Sequence, residues 1–268
     1  MKTLCLPFLL LLLYSCQQKP KHPQAGLTSV ETSVMTAPSI LNYADSVDAG
    51  LNGLNKQTSL VYQLGDAAMY TEGYSANGKT LLYIQYFNNE GVSSQTGKYY
   101  FKNDSLILVR ESSLTNRVNG SVYEDKRSFL RNNISFKKES RSASSAAALQ
   151  TKPYALISAS QTARRTGEFV EIVKILKDAI SGANKFDLVF DHIIIVPPES
   201  HILLKSRIPN GYSANIVVND TDLFIDSLIN QPALFKNQKL HIKWEIKDKE
   251  AVYVPVAARL TSASGLNK

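Results

Sequence analysis

The chain has 268 residues, with 30 basic and 23 acidic side chains, a formal net charge of +7 and two cysteines. A chain of this length can bury a sizeable core without disulfides. The only cysteines, Cys5 and Cys16, both lie at the N-terminus, so the rest of the chain offers neither a thiol pair for a disulfide nor a cysteine-based metal site.

Residues 1–15 have the form of a secretory signal. Lys2 precedes an apolar run from Leu4 to Leu13, too short to be a membrane-spanning helix, which needs roughly 20 apolar residues. The run ends in Leu13-Tyr14-Ser15-Cys16, which resembles the lipobox of bacterial lipoproteins. That resemblance implies cleavage before Cys16 and a lipid on the cysteine, although Tyr14 stands where the family prefers a small residue. It also implies attachment to a membrane through the lipid. Because no acidic run follows Cys16, it implies the periplasmic face of the outer membrane. Residues 16–38 hold three prolines and no apolar periodicity, so they read as a lipidated N-terminus and flexible tether.

The first folded segment, 39–145, opens with Ile40, Tyr43, Ala44, Val47, Leu51 and Leu54 at helical spacing over Ser39–Asn55. Ser59–Leu64 opens a sheet. Turn signals then recur at near-regular intervals: Asn77-Gly78, Asn88 to Gly91, Asn103-Asp104, Asn119-Gly120 and Asn132-Asn133. Such pairs tolerate the positive φ of tight hairpins. The aromatic and aliphatic runs between them predict an antiparallel meander of strands over Ala67–Tyr74, Lys79–Phe87, Lys98–Lys102, Leu106–Glu111, Ser121–Leu130 and Ile134–Lys138. The hairpins at Asn103 and Asn132 look alike. The first carries one extra residue between its turn and the closing Arg110-Glu111, matched with Lys138-Glu139 in the second. We read them as one turn chemistry used twice rather than a duplication.

Ser140–Ala148 is small and repetitive and reads as a linker, with a domain boundary near residue 150. The second segment, 151–264, begins with an amphipathic helix over Thr166–Ser181, which Gly182 can end. Strand-like runs follow at Phe186–Val196, Ile202–Ile208 and Ala214–Val218. Asp220 and Asp222 can cap a short helix that closes at Pro232. Leu240, Ile242, Trp244 and Ile246 alternate with charged or polar residues in a half-buried strand, and Val252–Leu260 supplies the last strand. The expected fold class is α+β, an antiparallel β-meander followed by a smaller α+β domain. The element order of that second domain is like that of an OB-fold.

No pattern specifies catalysis. Ser135-Phe136-Lys137-Lys138 has the Ser-x-x-Lys spacing of acyl-transferring enzymes, but in a strand positions i and i+3 face apart. Asp191-His192 are strand neighbours, which also face apart, and His201 and His241 read as exposed or satisfied. Asp220, Asp222 and Asp226 lack the glycine and twelfth-position glutamate of an EF-hand loop. No metal or cofactor is expected, and no nucleic acid in an envelope compartment. The stretch Lys98–Arg141 holds ten basic and five acidic residues. Aromatic and basic residues on a rigid sheet can hold a glycan or an envelope protein without reactive groups. Tyr99, Tyr100, Lys102 and Arg131 are the expected binding surface. The expectation is therefore non-catalytic binding or scaffolding. An envelope hydrolase, signalled by two carboxylates in one pocket or by His192 or His201 beside a nucleophile, and an accessory subunit of an outer-membrane complex are the alternatives.

Overall fold

The computed structural model describes residues 35–158, 167–197 and 199–255. Cys16, the lipobox-like motif and the tether up to residue 34 lie outside the described residues, as does the expected strand beyond residue 255. Helix α1 (Ala37–Ala49) buries Ile40, Ala44 and Val47 and stops where Gly50 begins a short 3-10 turn. Strands β1 (Asn55–Thr58) and β2 (Tyr62–Leu64) follow, then the long meander strands β3 (Ala67–Ala76), β4 (Lys79–Asn89), β5 (Ser93–Lys102), β6 (Ser105–Arg117), β7 (Gly120–Arg131) and β8 (Ile134–Ala143). All six fall where the turn spacing puts them, and each pairs antiparallel with the next.

Three of the hairpins are built to one plan. Asn77-Gly78, Asn103-Asp104 and Asn132-Asn133 all have positive φ at both turn positions, the type I′ geometry that matches strand twist. Three residues after each turn one residue has no partner across the ladder: Leu81, Ile107 and Phe136. These β-bulges reset the alternation of faces. The spacing from turn to bulge is identical in the hairpins at Asn103 and Asn132, so the extra residue suggested by their sequences is not there. Arg110 is equivalent to Glu139, not to Lys138.

The stretch read as a linker is ordered structure. Residues up to Ala143 complete β8, and Ser145 then caps helix α2 (Ala146–Thr151) by accepting a bond from the Ala148 N–H. Strand β9 (Ala155–Leu156) pairs with β8. Helix α3 (Val170–Ser181) ends on Gly182 in the left-handed conformation. Strands β10 (Leu188–Val196), β11 (Glu199–Ser206) and β12 (Ser213–Val218) follow, then helices α4 (Leu223–Asn230) and α5 (Pro232–Phe235). Pro232 thus opens a helical turn as well as closing α4, since a proline suits a first helical position. Strands β13 (Lys243–Lys247) and β14 (Glu250–Val254) complete the described chain, with β14 parallel to β12. β12 also pairs with β2, so the ladders run on from strands before residue 150 to strands after it.

Among the apolar clusters of the described residues, two bear on the site. One gathers Tyr62, Phe186, Phe190, Ile202, Ile216, Ile225 and Leu228 around β10–β12. The other packs Tyr99, Phe101, Leu106, Val109 and Leu130 of the meander against Leu176 of α3. Gly73 permits this approach, because a Cβ there would come within 2.7 Å of Ile180 Cδ1. Helix α1 covers the opposite face of the meander.

Candidate functional site

The meander carries a cleft beside α3. Register places Gln85, Gly97, Glu111 and Lys126 in one row across β4–β7, and directly paired residues share a face. The next row adds Phe87 and Gln95. Tyr99 lies back over Gly97, where a Cβ would come within 2.9 Å of its ring, and its hydroxyl donates to Gln85 Oε1 at 3.4 Å. Across the cleft, Lys138 Nζ donates to both carboxylate oxygens of Glu168 at 2.6 Å, just ahead of α3. Phe169, Ile172 and Ile157 form an apolar wall, and the space enclosed is about 760 Å³. Ligand pockets commonly measure about 300–1,000 Å³ and combine apolar walls with a few placed polar groups.

Glu111 is the chemically distinctive group. Burial pushes its carboxyl above the ordinary range and Glu168 adds to that, while Lys126, Lys138 and a bond from Gln95 Nε2 at 3.1 Å act the other way. Glu139 shows the contrast. Burial would raise it too, but ion pairs with Lys137 and Arg127 hold its carboxyl below the usual range.

The four residues chosen from sequence do not form one surface. Tyr99 and Tyr100 are adjacent in a strand, so they face opposite ways, and both are buried. Tyr99 belongs to the cleft. Tyr100 faces α1, where its hydroxyl donates to Asp48 Oδ2 at 2.9 Å, and Lys102 Nζ sits 5.1 Å over the ring of Tyr43 in the same helix. Arg131 stacks 4.3 Å over Phe136. The basic stretch is likewise largely engaged: Lys98 and Arg110 meet Asp48 and Asp45, and Arg141 meets Asp125.

Bulges overturn two face arguments made from sequence. The Phe136 bulge puts Ser135, opposite Leu130, on the same face as Lys138, opposite Ser128. No reactive pair results, because Lys138 is held by Glu168 and the buried Ser135 hydroxyl has no hydrogen-bond partner. A bulge beside Asp191 likewise lets its carboxylate meet His192 Nδ1 at 2.8 Å. Asp191 also binds Lys205 and Lys236, whose bonds hold its carboxyl far below the usual range. That cluster is an ion-pair network without a nucleophile. His201 lies 3.9 Å from Glu199, and His241 is exposed. Asp222 Oδ1 accepts from the Phe224 and Ile225 N–H groups, the capping role expected.

Sequence reasoning missed Glu111, Gln85, Gln95, Lys126 and Glu168. One signal was present: in β6, Glu111 falls two residues after Val109, on the face that Val109 buries. Among the described residues, no group of three His, Cys, Asp or Glu side chains could hold a metal, and no helix is long and apolar enough to cross a membrane. No protein-family model, curated protein or solved structure matches this chain.

Proposed function

We propose that this protein is a ligand-binding component of the cell envelope. A lipid on Cys16 anchors it, and the cleft between the meander and α3 takes a hydroxyl-rich ligand such as a glycan segment. The carrying observation is the cleft itself. Two carboxamides, a half-buried carboxyl and an amine stand beside Phe87 and Phe169, a set able to exchange hydrogen bonds with hydroxyls while stacking on a sugar face. The chain is organised, in this reading, as a meander domain (39–145) and an OB-like domain (151–264). The β-β-β-α-β-β order of the second part supports this. So do the bonds from Phe190 N–H to Gln238 O and from Asn237 N–H to Phe190 O, which draw β10 toward the segment before β13.

A screen of the full-length protein in detergent micelles against envelope oligosaccharides, followed by calorimetry, tests the cleft. Glu111→Gln and Gln95→Ala are expected to weaken binding about tenfold, while Lys102→Ala on the opposite face leaves it unchanged. Equal binding by all three variants refutes the assignment. Mass spectrometry of the mature N-terminus tests the anchor, and an unmodified Cys16 thiol overturns it.

One observation favours hydrolysis as a second reading, since Glu111 and Glu168 share the cleft and Glu111 is biased toward its protonated, acid form. Against it, both oxygens of Glu168 are committed to Lys138, which suits a fixed anion better than a base. Product release from a bound oligosaccharide, abolished in Glu111→Gln with binding retained, would establish this alternative.

A further inference from the structure

On the other side of β3, away from α3, the ladders fork. β1 pairs only with β3, and β13 pairs only with β14, among the described residues. The two strands flank a groove of about 720 Å³ that Lys56, Thr58, Trp244 and Ile246 line. The hydrogen-bond phase of each strand is fixed. The β13–β14 turn is the two-residue Asp248-Lys249 with positive φ at both positions, so Lys247, Glu245 and Lys243 exchange bonds with β14. The N–H and C=O of Trp244 and Ile246 therefore point away from β14. In β1, the Ser59 N–H donates to Thr71 O at 2.9 Å, which puts Gln57 and Asn55 in phase with β3 and turns the backbone of Lys56 and Thr58 outward. The residues whose backbone groups lack a ladder partner, Lys56, Thr58, Trp244 and Ile246, all lie along the groove, together with Lys243, Glu245 and Glu72, the last paired with Lys56 at 2.6 Å. Trp244 Nε1 reaches Ser59 O at 3.4 Å and ties the branches together.

Unpaired strand edges are templates for another strand. A second copy of this chain matches β13 only in part. Antiparallel pairing of β13 with itself about Glu245 sets Lys243 against Lys247 and Glu245 against its own copy, and like charges in register oppose pairing, while pairing about Trp244 matches Lys243 with Glu245 but leaves Lys247 opposite His241. Opposite charges are favoured instead. The Lys-x-Glu-x-Lys order on the exposed face of β13 reads the same in both directions, so its complement is acidic-x-basic-x-acidic whichever way a strand enters. We propose that this groove captures an extended peptide segment of a partner protein as an added strand, one carrying acidic, basic and acidic side chains at alternate positions. This site is independent of the cleft beside α3.

Trp244 is the chain's single tryptophan and so reports directly on the groove. The blocked peptide Thr-Glu-Val-Lys-Val-Glu-Thr, titrated into the full-length protein in detergent micelles, is expected to shift Trp244 emission saturably. Exchanging Glu and Lys in the peptide, or methylating its backbone nitrogens, is expected to weaken binding about tenfold. Ile246→Pro removes a donor that the ladder does not use and should weaken the peptide by a similar factor, with Ile246→Ala, which keeps the donor, as the control for the packing lost with the side chain. The triple variant Lys243→Glu, Glu245→Lys, Lys247→Glu should prefer the charge-exchanged peptide, a gain that loss of folding cannot mimic. No emission change at millimolar peptide, undiminished binding of the methylated peptide, or an emission change driven by protein concentration alone overturns the proposal.

Discussion

Arg110 makes ion pairs with two acids of α1, and the shorter is the weaker. Its Nη2 lies 2.7 Å from Asp45 Oδ1, and its Nη1 lies 3.4 Å from Asp48 Oδ2. Distance alone ranks Asp45 first, but the Asp45 side chain is 65% exposed and that of Asp48 is 25% exposed. Exposed pairs are worth about 0–1 kcal/mol after screening and side-chain entropy. Asp48 also accepts from Lys98 at 3.0 Å and from the fully buried Tyr100 hydroxyl at 2.9 Å. Asp48→Ala takes this acceptor from a buried phenol, at about 1.5–3 kcal/mol for a bond to a charged group, plus about 0.5–1 kcal/mol for the two weakened cation contacts. The expected loss is about 2–4 kcal/mol. For a unit of this size, at about 3 °C per kcal/mol, that is about 6–12 °C in Tm, against about 3 °C or less for Asp45→Ala. Thermal melting followed by circular dichroism reads both, and Tyr100→Phe in the Asp48→Ala background should add almost nothing. Equal losses from Asp45→Ala and Asp48→Ala would refute the reasoning that burial, not proximity, ranks these pairs.

Glu111 is raised by burial, so it favours the folded state fully below its unfolded value, and that contribution is lost as pH climbs through the higher folded value. Glu111→Gln should therefore melt at or below the wild-type temperature near pH 4 and above it near pH 8, since every tenfold rise in proton affinity on folding corresponds to about 1.4 kcal/mol. A pH-independent difference would contradict this. Asp222→Ala removes the cap of α4 and the acceptor of the Tyr253 hydroxyl at 2.8 Å, for an expected loss of about 2–3 kcal/mol by urea unfolding. Asp222→Asn should recover most of the cap. Lys249 occupies the second turn position with φ 71°, so Lys249→Gly should raise stability by about 0.5–1 kcal/mol, and a fall in Tm would show that the residue is not strained there.

The meander was legible because its signals are local. Asn-rich pairs at positive φ and the apolar runs between them mark turns and strands without reference to distant residues, and the αL cap at Gly182 and the Asp222 cap are equally local. Which face each side chain takes was not legible past a bulge. The unpaired Leu81, Ile107 and Phe136 reverse the alternation, and nothing in their neighbours' identities announces it. The cleft depended on more distant partners still. Glu111 acquires its character from Gln95 across one ladder, Lys126 across the next and Glu168 ahead of a helix, a convergence created by packing. The same holds for the fork between β1 and β13, whose alternation was readable in Lys243 to Lys247 but whose unpaired edge was not. Sequence by itself determined the local elements, since backbone preference and apolar period act over a few residues. Tertiary structure decided faces, burial and charge, because these depend on which strands lie side by side.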